Sequence, residues 1–229
     1  MKKLPLIINC LLIIFLLASC KAADVSDSGI PSETEVEDEQ PDSDFEIPSD
    51  IEVVHTQSDR IYCEDLQQVE DEATIIVRAV AKGTLDQKVD TIYDDEIQEE
   101  LPTYGYTKRE IEVTQVHNGD VKVGDKLVLL QAYYVWTYSD GNKQLVSSTS
   151  VKPVVKETEY LMFLRYDKIM EGYSIVGDYQ GIFAIPTDEI KAQAEEGILE
   201  QSDLDIYYNH EPLHYMFPLY NEVVEKYFN

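Results

Sequence analysis

The chain has 229 residues, 44% of them hydrophobic, and its 45 acidic residues against 18 lysines and arginines give a formal net charge of −27. So acidic a chain is repelled by the phosphates of nucleic acid and by anionic lipid head groups, which excludes both as electrostatic partners. Its three cysteines are too few for a disulfide scaffold, so stability has to come from a hydrophobic core.

The N-terminus has the features of an export signal. Two lysines precede an apolar run from Leu4 to Leu17, which is shorter than the roughly 20 residues of a membrane span. The run ends in Leu17-Ala18-Ser19-Cys20, which resembles the lipobox of bacterial lipoproteins. The resemblance implies that residues 1–19 are a signal peptide and that Cys20 becomes the lipidated first residue. Diacylglycerol on Cys20, with acyl chains such as palmitate, then anchors the chain on the extracytoplasmic face of the cell membrane.

The segment that follows Cys20 differs in composition from the rest of the chain. Residues 21–50 contain serines, prolines, eleven acidic residues and one lysine. Such a segment cannot bury enough apolar surface to offset its ordering entropy. We therefore expect residues 20–50 to be the lipidated cysteine and a disordered acidic linker, and residues 51–229 to form a single β-rich domain.

The first half of this domain is predicted to contain one helix and two strands. Residues 64–72 have helical spacing of their apolar positions. Residues 74–81 are rich in β-branched side chains and predict a strand that is closed by Lys82-Gly83. Residues 85–101 are acidic and nonperiodic and predict a loop, after which residues 106–116 alternate as a strand does.

The second half is predicted to contain further strands and two helices. Residues 126–138 form one long strand, and a turn at 139–142 leads into the strand 144–151. Residues 159–165 form the most core-like strand, and residues 173–176 pair with 181–185. A helix follows to about Glu196, and a last helix after Pro218 has Leu219, Val223 and Tyr227 along one side.

This order of elements indicates a mainly β fold, a small antiparallel barrel or sandwich with peripheral and C-terminal helices. The region from Tyr62 to about Glu189 also resembles the netrin-like domain of tissue inhibitors of metalloproteinases, which is an OB-type barrel. The resemblance is carried by Cys63, Ala73-Thr74-Ile75-Ile76-Val77-Arg78-Ala79, Val113-Thr114-Gln115-Val116-His117-Asn118-Gly119 and Glu159-Tyr160-Leu161. It implies an OB-like barrel here. The family's inhibitory chemistry is not implied, because it needs a free N-terminal cysteine and disulfides. Cys63 lies far inside the chain and has no partner cysteine.

One stretch matches the letters of a zinc-hydrolase motif. His210-Glu211-Pro212-Leu213-His214 has the H-E-x-x-H pattern, which requires a continuous helix with both histidines on one face. Pro212 removes a backbone donor and crowds the preceding turn, so the match favours a polar loop. A zinc-dependent hydrolase that uses His210, Glu211 and His214 remains an alternative. We expect no catalytic residues, no metal and no cofactor.

An aromatic stripe is the best candidate for a binding site. Tyr134, Trp136 and Tyr138 alternate onto one face of a strand, while Tyr133 and Val135 lie on the other. These rings either cap the core or form a contact surface for a protein, peptide or glycan. The sequence therefore predicts a lipid-anchored, non-enzymatic domain that binds an envelope component, with a structural surface lipoprotein without a specific ligand as a further alternative.

Overall fold

The computed structural model describes residue 47 and residues 51–56, 62–148, 152–196 and 219–228. Residues Glu39–Asn229 form one compact unit, and a first unit, Met1–Asp38, lies wholly outside the described residues. The predicted signal peptide, Cys20 and the histidine pair His210 and His214 also lie outside them.

Strands make up most of the described chain, which confirms the predicted mainly β fold. The strands are β1 (Glu52–His55), β2 (Ile75–Asp94), β3 (Glu99–Asn118), β4 (Lys126–Gln131), β5 (Tyr133–Thr137), β6 (Lys143–Ser147), β7 (Glu159–Asp167), β8 (Gly172–Ile175) and β9 (Ile182–Ala184). The helices are α1 (Leu66–Glu72), α2 (Asp188–Glu196), a 3₁₀ turn (Asp178–Gly181) and the helical residues 219–228, which end in a π-helical turn (Val224–Phe228).

The strands belong to two sheets. The larger sheet has the order β2-β3-β4-β8-β7-β9, and β2 also pairs with β7. Its pairings are antiparallel except for that between β4 and β8, which is parallel. The smaller sheet has the order β1-β6-β5, with β1 parallel to β6.

The main core lies against β7 and the C-terminal helix. Leu161, Met162, Phe163 and Leu164 are all completely buried on β7, because this strand is covered on both faces. The ring of Phe163 meets that of Tyr227 edge to face, with centroids 5.4 Å apart. The predicted apolar side of the last helix is confirmed, since its three predicted positions are buried in this core.

The prediction of a loop at residues 85–101 is wrong. Strands β2 and β3 continue through this region as a long hairpin with a turn at residues 95–98. The strand that starts at Ile75 does not end at Lys82-Gly83, because register shifts between Ala81 and Thr84 absorb the irregularity without ending the ladder. Cross-strand backbone hydrogen bonds form this hairpin with little burial, so its residues lack the alternation that marks a half-buried strand.

One predicted strand and one predicted pairing are also corrected. The long strand 126–138 is divided at Ala132, so that β4 belongs to the larger sheet and β5 to the smaller one. Strands β8 and β9 do not pair with each other, since both pair with β7, at Leu164–Asp167 and at Tyr160–Met162 respectively. The 3₁₀ turn between them shifts the chain along the same edge of β7.

Candidate partner-binding surface

The aromatic stripe of β5 lies against the long hairpin of β2 and β3. Tyr134 is only 6% exposed. Its ring fills the space beside Gly105 on β3, where a β-carbon would overlap the Tyr134 ring and lie 2.8 Å from the Lys88 carbonyl oxygen. Tyr134 is therefore a packing residue, because only a residue without a side chain permits this close approach.

Trp136 and Tyr138 are half-buried and keep part of their surface in solvent. Trp136 lies opposite Gln144 on β6, and its indole Nε1 is buried without a hydrogen-bond partner in the described part of the chain. The Tyr138 hydroxyl donates to Gln144 Oε1 at 2.6 Å. Trp136 and Tyr138 are therefore the two rings of the predicted stripe whose exposed surface a partner could contact.

Tyr138 also lines a polar cleft of about 590 Å³. The other lining residues are Glu52, Glu99, Ser139, Asp140, Asn142, Lys143 and Gln144. Gln144 Nε2 donates to Glu52 Oε2 at 2.7 Å, and Ser139 Oγ donates to Glu99 Oε1 at 2.6 Å. Three carboxylates against one lysine make this cleft suited to a polar or cationic group.

The opposite face of the smaller sheet forms a second, minor core. Tyr133, Val135 and Leu145 are buried there, and Ile47 and Ile51 pack against them. The strand alternation predicted for β5 is thus confirmed. The contact of Ile47 means that packing against the domain already begins within the segment predicted to be linker.

We name residues 85–108 the arm. Side chains at the base of the arm bond to β5, along the edge of β5 that has no neighbouring strand in the described part of the chain. The Gln87 amide donates to the Val135 carbonyl at 3.0 Å and accepts from the Val135 N–H at 2.7 Å, while Thr107 Oγ1 donates to the Tyr133 carbonyl at 2.8 Å. These bonds satisfy backbone groups of β5 that no further strand pairs with in the described residues.

Arg109, directly after the arm, is a buried cation. Its Nη1 donates to the Val154 carbonyl at 2.8 Å and its Nη2 to Thr84 Oγ1 at 3.3 Å. Burial raises the pKa of Tyr133, and the positive charge of Arg109 opposes this rise. Arg109 thereby connects Thr84, directly before the arm, with the loop at Val154 and lies close to Tyr133 of the second core.

The distal part of the arm exposes apolar side chains. Ile92 is 57% exposed, Tyr93 59% and Tyr104 49%. None of the three belongs to either hydrophobic core. Tyr104 lies opposite Asp90, so Ile92, two residues from Asp90, shares a face of the arm with Tyr104, and Tyr93 lies on the other face. Exposed apolar side chains that share a face, as Ile92 and Tyr104 do, mark an interaction site.

The hairpin between β7 and β8 extends this surface. The Tyr104 hydroxyl lies 3.8 Å from Met170 Sδ, and its ring centroid lies 6.1 Å from that of Tyr106. Burial raises the pKa of Tyr104, and Tyr106 and Asp167 add to the rise. Ile169, next to Met170, is 93% exposed.

Sequence reasoning missed the arm and this extension of it. The one signal in the sequence was the set of apolar residues Ile92, Tyr93, Ile97 and Tyr104 within an otherwise acidic stretch. Because they follow no regular period, they do not predict a strand.

No nucleophile or metal centre emerges from the described residues. The Cys63 N–H donates to Gln180 Oε1 at 2.6 Å, and burial followed by the charges of Glu72 and Asp65 raises the pKa of its thiol. A thiol with a raised pKa is a poor nucleophile. Across the described ranges, no group of three His, Cys, Asp or Glu side chains could hold a metal ion, and no helix is long and apolar enough to cross a bilayer.

Comparison of the chain with protein-family models, with curated proteins and with solved structures finds no match.

Proposed function

We propose that this chain is a lipid-anchored, extracytoplasmic domain that binds a protein or another envelope component and catalyses no reaction. The anchor rests on the Leu17-Ala18-Ser19-Cys20 sequence. With diacylglycerol on Cys20, the acidic segment that follows would separate the domain from the membrane surface.

As the finer description of the fold, we infer a small OB-like barrel. In support, each of β2, β3, β4, β7 and β8 pairs with two others of the five, so the pairing passes from β2 through β3, β4, β8 and β7 back to β2. OB-type barrels bind ligands through their second and third strands and adjoining loops. By this fold-level analogy, the arm and the β7–β8 hairpin are the corresponding surface.

The observation that carries the binding function is the exposed apolar surface of the arm. Ile92, Tyr93 and Tyr104 contribute to neither core, so packing of the two cores does not account for apolar residues at these positions. Tyrosine and isoleucine exposed in this way supply binding energy when a partner covers them. The exposed part of the Trp136 ring would add apolar contact, and the cleft at Tyr138 would add polar contacts.

The binding function is tested by photo-cross-linking in cells. A photoreactive residue replaces Tyr93 in one full-length chain and Asp120, on the exposed turn after β3, in a control. We expect a specific adduct from position 93 that is lost when Ile92 and Tyr104 are both changed to Ser. Equal adducts from both positions, or adducts that survive the double change, would contradict a binding surface on the arm.

The anchor is tested separately. Cys20→Ser should abolish incorporation of labelled palmitate and release the protein from the detergent phase, because the lipid is its proposed attachment. Unchanged detergent-phase partitioning of this variant would contradict lipid anchoring.

A further inference from the structure

We propose that the outer edge of β2 within the arm, residues 85–94, accepts an extended and positively charged segment of a partner protein as an added strand. This inference rests on the proposed function, because it names the chemistry of the partner that the exposed arm would bind.

The first argument is the hydrogen-bonding state of this edge. Strand β2 pairs with β7 only from Ile75 to Val80 and with β3 along its whole length. Beyond Val80, therefore, one edge of β2 carries no strand, and within the described residues no backbone group of 85–94 bonds to anything but the arm itself. Backbone groups that face away from a ladder form a template for a further strand.

The second argument is the contrast between the two edges of the arm. The β3 edge contains Pro102, which has no N–H to donate, and Thr103 forms an irregularity whose hydroxyl donates to the Asp90 carbonyl. Proline and bulges prevent the addition of a strand. The β2 edge contains neither proline nor glycine from residue 85 to residue 94. Its own irregularity, at Leu85, lies at the base of the arm, so residues 86–94 form the edge that a strand can join.

The third argument is charge. The arm has seven carboxylates and two lysines between residues 85 and 108. A second copy of the arm would place carboxylates against carboxylates, which is unfavourable for directly opposite pairs. A segment with alternating basic and apolar residues would instead pair with Asp86 and Asp90 and cover Ile92 or Tyr93.

The test uses the full-length chain in non-ionic detergent and three ten-residue peptides. The first alternates valine and lysine, the second alternates valine and glutamate, and the third is the valine–lysine peptide with alternate backbone amides N-methylated. We expect only the first to bind, with slowed amide hydrogen exchange in residues 85–94 and not at the β1 edge.

Charge variants complete the test. Asp90→Lys should weaken binding of the valine–lysine peptide at least fivefold, whereas Asp120→Lys makes the same charge change away from the arm and should leave binding unaltered. Equal binding of the N-methylated peptide would overturn strand addition, since only charge attraction would remain. Equal binding of the glutamate peptide, or a concentration-dependent dimer that buries the arm, would overturn the basic partner.

The outcome also separates this inference from the proposed function. If none of the peptides binds while the Ile92→Ser/Tyr104→Ser chain still loses its adduct in cells, the arm binds a partner by another mode and strand addition is wrong. If the adduct itself is absent and the peptides do not bind, both proposals fail.

Discussion

Tyr134 and Gly105 form the contact that fixes the arm on the smaller sheet. The tyrosine ring occupies the place where any larger residue would carry its β-carbon, and a β-carbon at Gly105 would also lie 2.8 Å from the Lys88 carbonyl oxygen. The burial of Tyr134 is thus a consequence of the arm's position. It explains why a ring predicted on a contact face is hidden.

We predict that Gly105→Ala destabilises the fold. The added methyl group has to displace an aromatic ring or a backbone carbonyl, and overpacking of this kind costs about 1–3 kcal/mol. Chemical denaturation measures the change, and hydrogen exchange should show that the arm loosens first. In a Tyr134→Ala background the same substitution should cost less, because one of the two obstacles is gone. An equal cost in both backgrounds would mean that the ring does not limit the space at Gly105.

The sequence predicts those elements whose burial leaves a regular pattern. The helix at α1 and the buried strand β7 follow from apolar spacing and from β-branched or aromatic runs, because burial selects those residues. The same holds for the last helix, where Leu219, Val223 and Tyr227 lie on one side and are all buried.

The arm escapes prediction because its strands are held by backbone hydrogen bonds and are mostly exposed. Exposure removes the constraint that makes apolar and polar residues alternate. The division of the aromatic strand at Ala132 escapes prediction for another reason. Periodicity specifies which face a residue occupies and not which sheet the strand joins, so the packing of Tyr134 on Gly105 could not be derived from residues 126–138 alone.

A second prediction concerns Trp136. Because its ring is half-buried, Trp136→Ala should cost less than the roughly 3–5 kcal/mol of a fully buried large aromatic. Trp136→Phe is the matched control. It keeps most of the ring surface and removes a buried indole N–H that has no partner in the described chain, so it should be nearly neutral.

The fluorescence of this sole tryptophan provides an independent measurement. Emission between the maxima of buried and of exposed indoles is expected for the folded protein. A fully red-shifted spectrum together with an unchanged stability of Trp136→Ala would contradict the packing of Trp136 on the smaller sheet.

A third prediction concerns the junction between linker and domain. Deleting residues 24–44 should leave the melting temperature nearly unchanged, since an acidic segment of this composition has little to bury. Ile47→Ala should lower the stability by about 1 kcal/mol, because Ile47 packs against the second core of Tyr133, Val135 and Leu145. The comparison of the two changes by thermal denaturation places the domain boundary. An equal, small effect of both would mean that the domain begins after Ile47.

The last prediction concerns the dependence of stability on pH at His117. Burial, followed by the positive charge of Arg78, lowers the pKa of His117. Its Nε2 is buried without a hydrogen-bond partner among the described residues, and its ring meets that of Tyr227 edge-on, with centroids 5.0 Å apart. A proton on this ring is therefore disfavoured in the folded state.

The sign of the effect follows from linkage. The unfolded chain binds a proton at His117 near its ordinary pKa of about 6.5, and the folded chain does so only at lower pH. The stabilising contribution is complete above about pH 6.5, and it is lost as the pH falls from there through the folded pKa. Because the ring is only partly buried, the contribution stays well below that of a fully buried group.

His117→Phe should reduce this acid-side loss. The substitution keeps an aromatic ring against Tyr227 and removes the titrating group. We expect the free energy of unfolding to fall less between about pH 7 and pH 5 than in the unaltered chain. His55→Gln, at an exposed position on β1, is the matched control and should leave the slope unchanged. If the slope changes equally in both variants or in neither, His117 does not carry the acid-side dependence of stability.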